Sequence, residues 1–422
     1  MNDTREIAAA MRVLAQEKLS GTLAETGGED ADAQAWALLV DLVESENRRR
    51  ALAGEQALDA GARNDIAQQL FDLFFRLGPL QAHLDDEQIE EVIVNGPERG
   101  FAVRAGGSKE PIETGVASEE ELRTLLSRVV ARSGRRIDEA SPAVDIRLPD
   151  GARLHAVIPP LARKTCLTIR RHRRVAEDLE DLVALGTFTR EASKFLQACV
   201  EGDLNILVSG GTASGKTTTL NALGRAIPER ERIVTIEETA ELRLEDVLSD
   251  CIALEARAAN IEGAGRVSIR ELVRHALRMR PTRIIVGEVR GPEALDMLSA
   301  MNTGHEGSMG TIHANSARQA LSKLRTYVLM AEEELSAEVA AEMISETIDL
   351  VVHLSLEQAS GQRRCVQISE VAGLEAGRVL VNDLFRSDGG TLTRTGVRPR
   401  FADRLPEEAV VVPLTRLEDA RA

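Results

Sequence analysis

Apolar residues recur at helical spacing in the first part of the chain. The segment 1–60 is rich in Ala and Glu, and its weak apolar pattern predicts loosely packed helices or a mobile arm. A stronger helical pattern follows at about 65–77 and is stopped by Gly78-Pro79. Its apolar positions are Ile66, Leu70, Phe71, Leu73, Phe74 and Leu77. We expect these side chains to form the core of a domain that begins near residue 61.

Short apolar runs replace the helical pattern between about 92 and 169. Val92-Ile93-Val94 and Phe101-Ala102-Val103 are separated by the turn signal Asn95-Gly96-Pro97, which predicts paired strands. A helix at about 119–132 follows, and further strands come after it. Because strands and helices are mixed here without a β-α-β rhythm, we expect a small α+β domain at 61–175.

From residue 190 to about 355, apolar strands alternate with amphipathic helices. This order is typical of the parallel sheet of a RecA-like nucleotide-binding domain. We expect a linker with one helical turn at 176–189, and the RecA-like domain with a C-terminal extension at 190–422. The expected fold class is therefore α/β, with this RecA-like domain preceded by a smaller α+β N-terminal domain and a helical N-terminal arm.

Composition excludes several classes of protein. The net charge of −16 and the pI of about 5.1 argue against a broad, non-specific grip on DNA or RNA. The four cysteines include no C-x-x-C pair, so we expect a reducing compartment and neither a zinc site nor a disulfide framework. Neither a secretory signal nor a bilayer-length apolar stretch is evident. We therefore expect a cytoplasmic protein, with any membrane association made through a partner.

A glycine-rich segment follows the apolar run 204–208 and matches the phosphate-binding pattern G-x-x-x-x-G-K-[ST]. Its residues, together with the next threonine, are Gly210, Gly211, Thr212, Ala213, Ser214, Gly215, Lys216, Thr217 and Thr218. Glycines let backbone N–H groups close around phosphate oxygens, and the start of the following helix adds partial positive charge. We expect Lys216 to reach the β- and γ-phosphates and the Thr217 hydroxyl to ligate Mg²⁺. The expected cofactors are ATP and Mg²⁺.

Two later strands end in acidic residues. Glu288 ends an apolar run about 70 residues after the loop, where its carboxylate can polarise the attacking water or hold the magnesium shell. Gly287 stands where many such ATPases have an aspartate, so this strand lacks one carboxylate. Glu237, Glu238 and Glu241 follow another apolar run and could replace it by ordering water around Mg²⁺. Capping of a helix is an equally open interpretation of the same cluster.

Histidines and arginines complete the candidate chemistry. His305 and His313 flank a strand predicted at 309–312, and a histidine at such a strand end can sense the γ-phosphate. A structural role stays open for His305, and a metal site would need a third ligand cluster. Arg153 and Arg170 are among the arginines that could stabilise charge on a transferring phosphoryl group. The basic cluster 170–174 could instead bind nucleic acid, an interpretation that the negative net charge weakens.

Several blocks together resemble the type II/type IV secretion-system ATPase family, and within it the CpaF/TadA branch for tight-adherence (Flp) pili. The resemblance covers about 60–400. Besides the phosphate loop, the blocks are 134–139, 147–153, 237–242, 278–281, 287–291 and 303–315. Two positions depart from the family pattern. The chain has Glu237-Glu238 where Glu-Asp is usual, and Ala213 where glycine is usual, and alanine cannot adopt a positive φ there without strain.

The resemblance implies a hexameric P-loop ATPase that drives pilin polymerisation or export through an inner-membrane platform. The implied partners are further copies of the chain and platform proteins, with no nucleic acid. The implied catalytic residues are Glu288, Lys216, Glu238, His313, Arg153 and Arg170, and the implied magnesium contacts are Thr217, Glu238 and Glu288. Two alternatives remain: a DNA-translocating or conjugation-type motor, and a non-catalytic subunit that binds ATP without turnover.

Overall fold

The computed structural model describes residues 2–22, 29–104, 107–171, 176–257, 264–357, 360–387 and 389–410. The chain divides into two compact units, Met1–Arg173 and Arg174–Ala422. His172, Arg173 and Arg174 of the basic cluster lie outside the described residues. Among the helices that the structure describes, none has the length and hydropathy that a membrane span requires.

Three helices begin the first unit: α1 (Asn2–Thr22), α2 (Glu29–Leu52) and α3 (Ala60–Phe75). Asp59 caps α3 by accepting a hydrogen bond from the Ala62 N–H. Trp36 of α2 packs edge-on against Phe71 of α3, with ring centroids 5.7 Å apart. The first 60 residues therefore contribute helices with an apolar face buried against α3, because α3 presents an aromatic surface to them.

Two further helices and a six-stranded sheet complete the described part of the first unit. All neighbouring strands of the sheet are antiparallel, in the order β3-β2-β1-β6-β5-β4. In chain order the elements are α4 (Gln81–Asp85), β1 (Ile89–Asn95), β2 (Gly100–Arg104), β3 (Lys109–Ile112), α5 (Glu119–Arg132), β4 (Ala143–Arg147), β5 (Arg153–Val157) and β6 (Cys166–Arg170). The paired strands near residues 92–104 and the helix at 119–132 are as the sequence predicts.

The second unit is built on a nine-stranded sheet in the order β15-β14-β13-β12-β7-β11-β10-β8-β9. The strands from β12 to β9 are parallel, whereas β13, β14 and β15 add antiparallel hairpins at one side. The elements are α6 (Leu179–Ala184), α7 (Arg190–Glu201), β7 (Ile206–Gly210), α8 (Lys216–Arg225), β8 (Ile233–Glu237), β9 (Cys251–Glu255), α9 (Ile269–Ala276), β10 (Arg283–Val289), α10 (Glu293–Met301), β11 (Met309–His313), α11 (Ala317–Leu329), α12 (Ala337–Thr347), β12 (Leu350–Leu356), β13 (Arg363–Glu375), β14 (Arg378–Arg386), β15 (Thr393–Arg394) and α13 (Glu407–Val410).

The central parallel strands are buried on both faces. Every residue of β7 and β8 is buried, and two apolar clusters lie on the two faces of the sheet. A parallel sheet needs this double cover, because its crossover helices pack on both sides. The α/β, RecA-like fold expected from the sequence is therefore confirmed. The segment 176–189, expected to be a linker, carries α6, whose Leu179 and Leu182 are buried in the same cluster as β7.

Arg283, the first residue of β10, is a buried cation at the amino end of the sheet. Its side chain is 1% exposed and donates hydrogen bonds to Glu231, Asp203 and the Val200 carbonyl. The Nη2–Oδ1 distance to Asp203 and the Nη2–Oε1 distance to Glu231 are both 2.6 Å. These partners join the start of β10 to the segments that precede β7 and β8.

Replacing Arg283 with alanine should lower the free energy of unfolding by about 3–5 kcal/mol, because it leaves buried acceptors without their donor. Urea denaturation would measure the loss. The matched control is Arg398→Ala, which removes an exposed arginine whose ion pair with Asp403 is 3.4 Å long. We expect the control to cost less than about 1 kcal/mol, and similar losses in the two variants would contradict the prediction.

Candidate active site

The phosphate loop connects the end of β7 to the start of α8. Gly210 lies level with His313 of β11 and with Leu354 of β12. A Cβ atom at Gly210 would come within 2.4 Å of the Ser214 Oγ, so the close approach of the loop requires glycine there. The Ser214 hydroxyl and the Lys216 ammonium group each donate to the Gly211 carbonyl at 2.9 Å. These two bonds give the loop its closed curve.

Ala213 adopts the left-handed backbone conformation, with φ of 59°. Alanine in this region costs about 1 kcal/mol relative to glycine, because its Cβ atom crowds the backbone. The strain expected from the sequence is therefore present, and the chain nevertheless keeps the loop shape. The Ala213 carbonyl accepts a hydrogen bond from the Nε of Arg363, the first residue of β13, at 2.9 Å.

Lys216, Thr217 and Thr218 lie in the first turn of α8, and each is partly exposed. The loop and this helix end together direct backbone N–H groups and the Lys216 charge towards the same region. Gly215 precedes the helix with φ of 94°, a conformation open to glycine. The arrangement is suited to an anion with several oxygens, such as a polyphosphate.

Arg290 joins the two acidic residues that the sequence assigns to magnesium. Its Nη1 lies 2.8 Å from the Glu238 Oε2, and its Nη2 lies 2.7 Å from the Glu288 Oε2. Sequence spacing gives Arg290 no role, although it lies within the block 287–291. The Glu293 carboxylate holds the turn at Arg290 by accepting hydrogen bonds from the backbone N–H groups of Arg290 and Gly291 at 2.7 and 2.8 Å. The guanidinium thus fixes Glu238 and Glu288 relative to each other.

Glu237 fills the space beside Gly287. A Cβ atom at residue 287 would lie 2.7 Å from the Cγ of Glu237, so a larger residue there would displace the Glu237 side chain. The Glu237 carboxyl accepts the backbone N–H groups of Glu241 and Leu242 at 3.0 to 3.2 Å. Glu237 does not cap a helix: its oxygens hold the turn that follows β8, and the 3-10 turn Leu244–Asp246 begins further on without a side-chain cap. Burial raises the pKa of Glu237 to about 8, while these two N–H donors act in the opposite direction.

The two histidines lie at opposite ends of β11. His313 is its last residue, and burial together with the positive charges of Lys216 and Lys323 lowers its pKa, opposed by Glu288. His305 precedes β11 and donates from Nδ1 to the Pro281 carbonyl at 3.0 Å, at the amino end of β10. The structure therefore brings His313 together with Lys216 and Glu288. His305 has the structural role that the sequence left open.

Magnesium fits the donor set at this edge of the sheet. The Thr217 hydroxyl and the Glu238 and Glu288 carboxylates are hard oxygen donors, as Mg²⁺ prefers. In the part of the chain that the structure describes, no group of three or more His, Cys, Asp or Glu side chains could hold a metal ion by itself. Mg²⁺ usually binds through few protein ligands, and phosphate oxygens and water complete its shell.

In the first unit, strand register brings three arginines into one row. Arg147 of β4 lies opposite Arg153 of β5, and Arg153 lies opposite Arg170 of β6. The row ends at Glu91 of β1, whose Oε1 lies 3.6 Å from the Arg170 Nε. Like charges directly opposite each other on a sheet are destabilising. The row concentrates positive charge on one face of this sheet.

Comparison with known proteins identifies the family. The family described as "Type II/IV secretion system protein" matches residues 76–382. The chain belongs to this family. The match spans both units and includes the phosphate loop, Glu238, Glu288 and His313.

Two relatives and one solved structure illustrate the range of the secretion family. A putative conjugal transfer protein of Mycobacterium tuberculosis is 37% identical over 320 residues, which cover 74% of this chain and 89% of that protein. The type IV secretion system protein PtlH of Bordetella pertussis is 34% identical over 317 residues, or 69% and 93% of the two chains. The X-ray structure of the ATPase DotB of Yersinia pseudotuberculosis has a TM-score of 0.50 at 16% identity, covers 74% and 79% of the two chains, and is similar in fold alone.

Replacing Glu237 with glutamine should change how the stability of this secretion-family chain depends on pH. In the unfolded chain the carboxyl loses its proton near pH 4.5, whereas in the native state it holds the proton up to about pH 8. Folding therefore takes up a proton between these values, so this stabilisation is complete below pH 4.5 and is lost as the pH rises through 8. Glutamine cannot lose a proton, so the variant should gain stability relative to wild type as the pH rises.

Thermal unfolding between pH 5.0 and 8.5, without nucleotide or Mg²⁺, would measure this difference. The comparison variant is Glu238→Gln, which changes the exposed neighbouring carboxylate. Parallel curves for wild type and Glu237→Gln would contradict the prediction.

Replacing Arg290 with lysine should lower kcat for ATP roughly tenfold and leave the melting temperature within about 2 °C of wild type. A single ammonium group lacks the planar fork that joins Glu238 to Glu288, so both carboxylates become less well oriented. Steady-state kinetics with Mg²⁺-ATP would measure the effect. Unchanged kcat would show that the bridge has no part in turnover.

Proposed function

We propose that the chain is an ATP-hydrolysing motor subunit of a type II/IV secretion apparatus. The observation that supports this most directly is the convergence of Lys216, Glu288 and His313 at one edge of the parallel sheet, beside a closed phosphate loop. Arg290 and Glu238 lie against Glu288 at the same edge. A phosphate-binding loop with its lysine and a carboxylate that can orient the attacking water are groups that catalyse phosphoanhydride hydrolysis.

Each residue of the site has a distinct part in the proposed reaction. The loop N–H groups and Lys216 bind the β- and γ-phosphates, and Thr217, Glu238 and Glu288 are the groups that would hold Mg²⁺. Bound Mg²⁺ would neutralise charge on the phosphate oxygens. Glu288 polarises the attacking water, and Arg290 keeps that carboxylate oriented. His313, next to the end of β7, responds to the charge on the γ-phosphate.

We place Arg153 and Arg170 in the same reaction as donors of positive charge to the phosphates. Their support is the row of arginines on the first unit, which the strand register places directly opposite one another. Guanidinium groups stabilise charge that moves onto the transferred phosphoryl group.

The biological setting follows from the resemblance of the sequence blocks. We place the protein on the cytoplasmic side of the inner membrane as a homohexamer on a platform protein. There it would drive pilin polymerisation or export of the tight-adherence (CpaF/TadA) type. The relative PtlH, named as a type IV secretion system protein, is consistent with work on a secretion platform.

A second candidate function is a DNA-translocating or conjugation-type motor. The name of the Mycobacterium tuberculosis relative, a putative conjugal transfer protein, favours it. The net charge of −16 opposes it. Double-stranded DNA should therefore leave the ATPase rate unchanged, and a salt-sensitive stimulation by DNA would favour the second candidate over the first.

Replacing Glu288 with glutamine should abolish turnover and preserve nucleotide binding. Loss of the carboxylate that polarises water should lower kcat by about a hundredfold or more. Mg²⁺-dependent phosphate release would measure turnover across size-exclusion fractions, and we expect wild-type activity in a hexamer-sized peak. Binding of a fluorescent ADP analogue to Glu288→Gln would show that the phosphate loop of the variant still binds nucleotide.

The matched control is Glu201→Gln on the exposed end of α7, whose carboxylate accepts only a hydrogen bond from Gln197 among the contacts found in the described structure. It should keep wild-type turnover. Retained turnover in Glu288→Gln would overturn the assignment of Glu288. A well-folded wild-type hexamer that binds ATP but releases no phosphate, even with a membrane platform present, would favour a non-catalytic subunit.

A further inference from the structure

Arg363 is placed beside the phosphate loop by the register of the sheet. β12 lies next to β7, with Leu354 level with Gly210, and β13 returns antiparallel with Arg363 level with Leu356. Arg363 therefore lies two residues beyond the level at which β7 ends. Arg363 is 150 residues from Ala213 in sequence, yet this position places the Arg363 side chain against the loop.

Arg363 contacts the two loop residues that flank Ser214, namely Ala213 and Gly215. Its Nε donates to the Ala213 carbonyl at 2.9 Å. Its Cδ lies 3.5 Å from where a Cβ atom of Gly215 would be, so the aliphatic part of the side chain crosses Gly215. Ser214 and Lys216 hold the loop from within, through the Gly211 carbonyl, whereas Arg363 holds it from another strand.

The residue that Arg363 contacts is also the strained one. Ala213 has φ of 59°, a conformation that glycine adopts freely and alanine does not. Without an external contact, the backbone at Ala213 would relax towards negative φ, and its peptide groups would turn away from the phosphate-binding curve. A hydrogen bond from a charged donor to the Ala213 carbonyl opposes that relaxation.

We propose that Arg363 is a positioning residue that holds the phosphate loop in its nucleotide-binding conformation and offsets the strain of Ala213. This rests on the proposed function, in which the loop binds ATP. Arg363 acts through the loop backbone, so glycine at position 213 should make it largely dispensable. A residue that contacted phosphate directly would be needed equally with alanine or glycine at 213.

Nucleotide affinity in two backgrounds tests the proposal. Arg363→Ala should raise the Kd for N-methylanthraniloyl-ADP about fivefold, because the competent loop conformation becomes a minority in the free protein. In an Ala213→Gly background, the same Arg363 substitution should raise Kd less than twofold relative to its own parent. Equal losses in the two backgrounds, or no loss in either, would overturn the proposal.

Arg364→Ala is the matched control. Arg364 is the next residue on β13 and donates to Gln362 rather than to the loop, so its removal should leave Kd within twofold of wild type. An effect of Arg364→Ala equal to that of Arg363→Ala would point to a general disturbance of the hairpin and would overturn the specific role.

Amide hydrogen exchange tests the role of Arg363 independently of whether the loop binds nucleotide. In nucleotide-free protein, exchange of the peptide covering 210–217 should quicken about threefold in Arg363→Ala and return to the parent rate when residue 213 is glycine. This readout needs no ligand. If the wild-type protein bound no nucleotide, the proposed function would be wrong. The exchange rate of the 210–217 peptide would still show whether Arg363 positions the loop. Unchanged exchange in Arg363→Ala would overturn the positioning role.

Discussion

The parallel pairing of β7 with β11 on one side and β12 on the other is the constraint on which the candidate site depends. Gly210, His313 and Leu354 share one level of the sheet because of this register. A shift of one residue would move each side chain of β7 to the opposite face of the sheet, where a different apolar cluster packs, so the packing on both faces specifies the register. The apolar packing of the sheet thus sets the relative heights of the loop, the histidine and the hairpin that carries Arg363.

Much of this arrangement could be predicted from the sequence. The carboxyl ends of parallel strands meet at one edge of a sheet, so a strand ending in Glu288 and another ending near His313 were expected beside the loop. The same reasoning could have placed His305 at the opposite edge, since it precedes β11 by four residues. The packing of the helices in the first 60 residues was harder to predict from the sequence. Apolar positions such as Leu39 acquire a partner only once α3 is in place.

The remaining features depend on contacts between side chains that are distant in sequence. Nothing in a single sequence shows that Arg290 reaches both Glu238 and Glu288, because the bridge depends on the separation of β8 and β10. The contact between Arg363 and Ala213 depends on a hairpin that lies beyond β12. The sequence does mark Ala213 as unusual for its position. The sequence contains no signal that Arg363 is the residue that contacts Ala213 and offsets its backbone strain.

The packing of Glu237 against Gly287 has a consequence for how such a site can change over generations. The two residues occupy one space, so a longer side chain on β10 requires a shorter one on β8. A chain with an aspartate at position 287 would therefore have to give up the glutamate at 237 as well, together with its hold on the following turn. Either substitution alone gives a less stable protein. The two positions are therefore expected to change together and not one at a time.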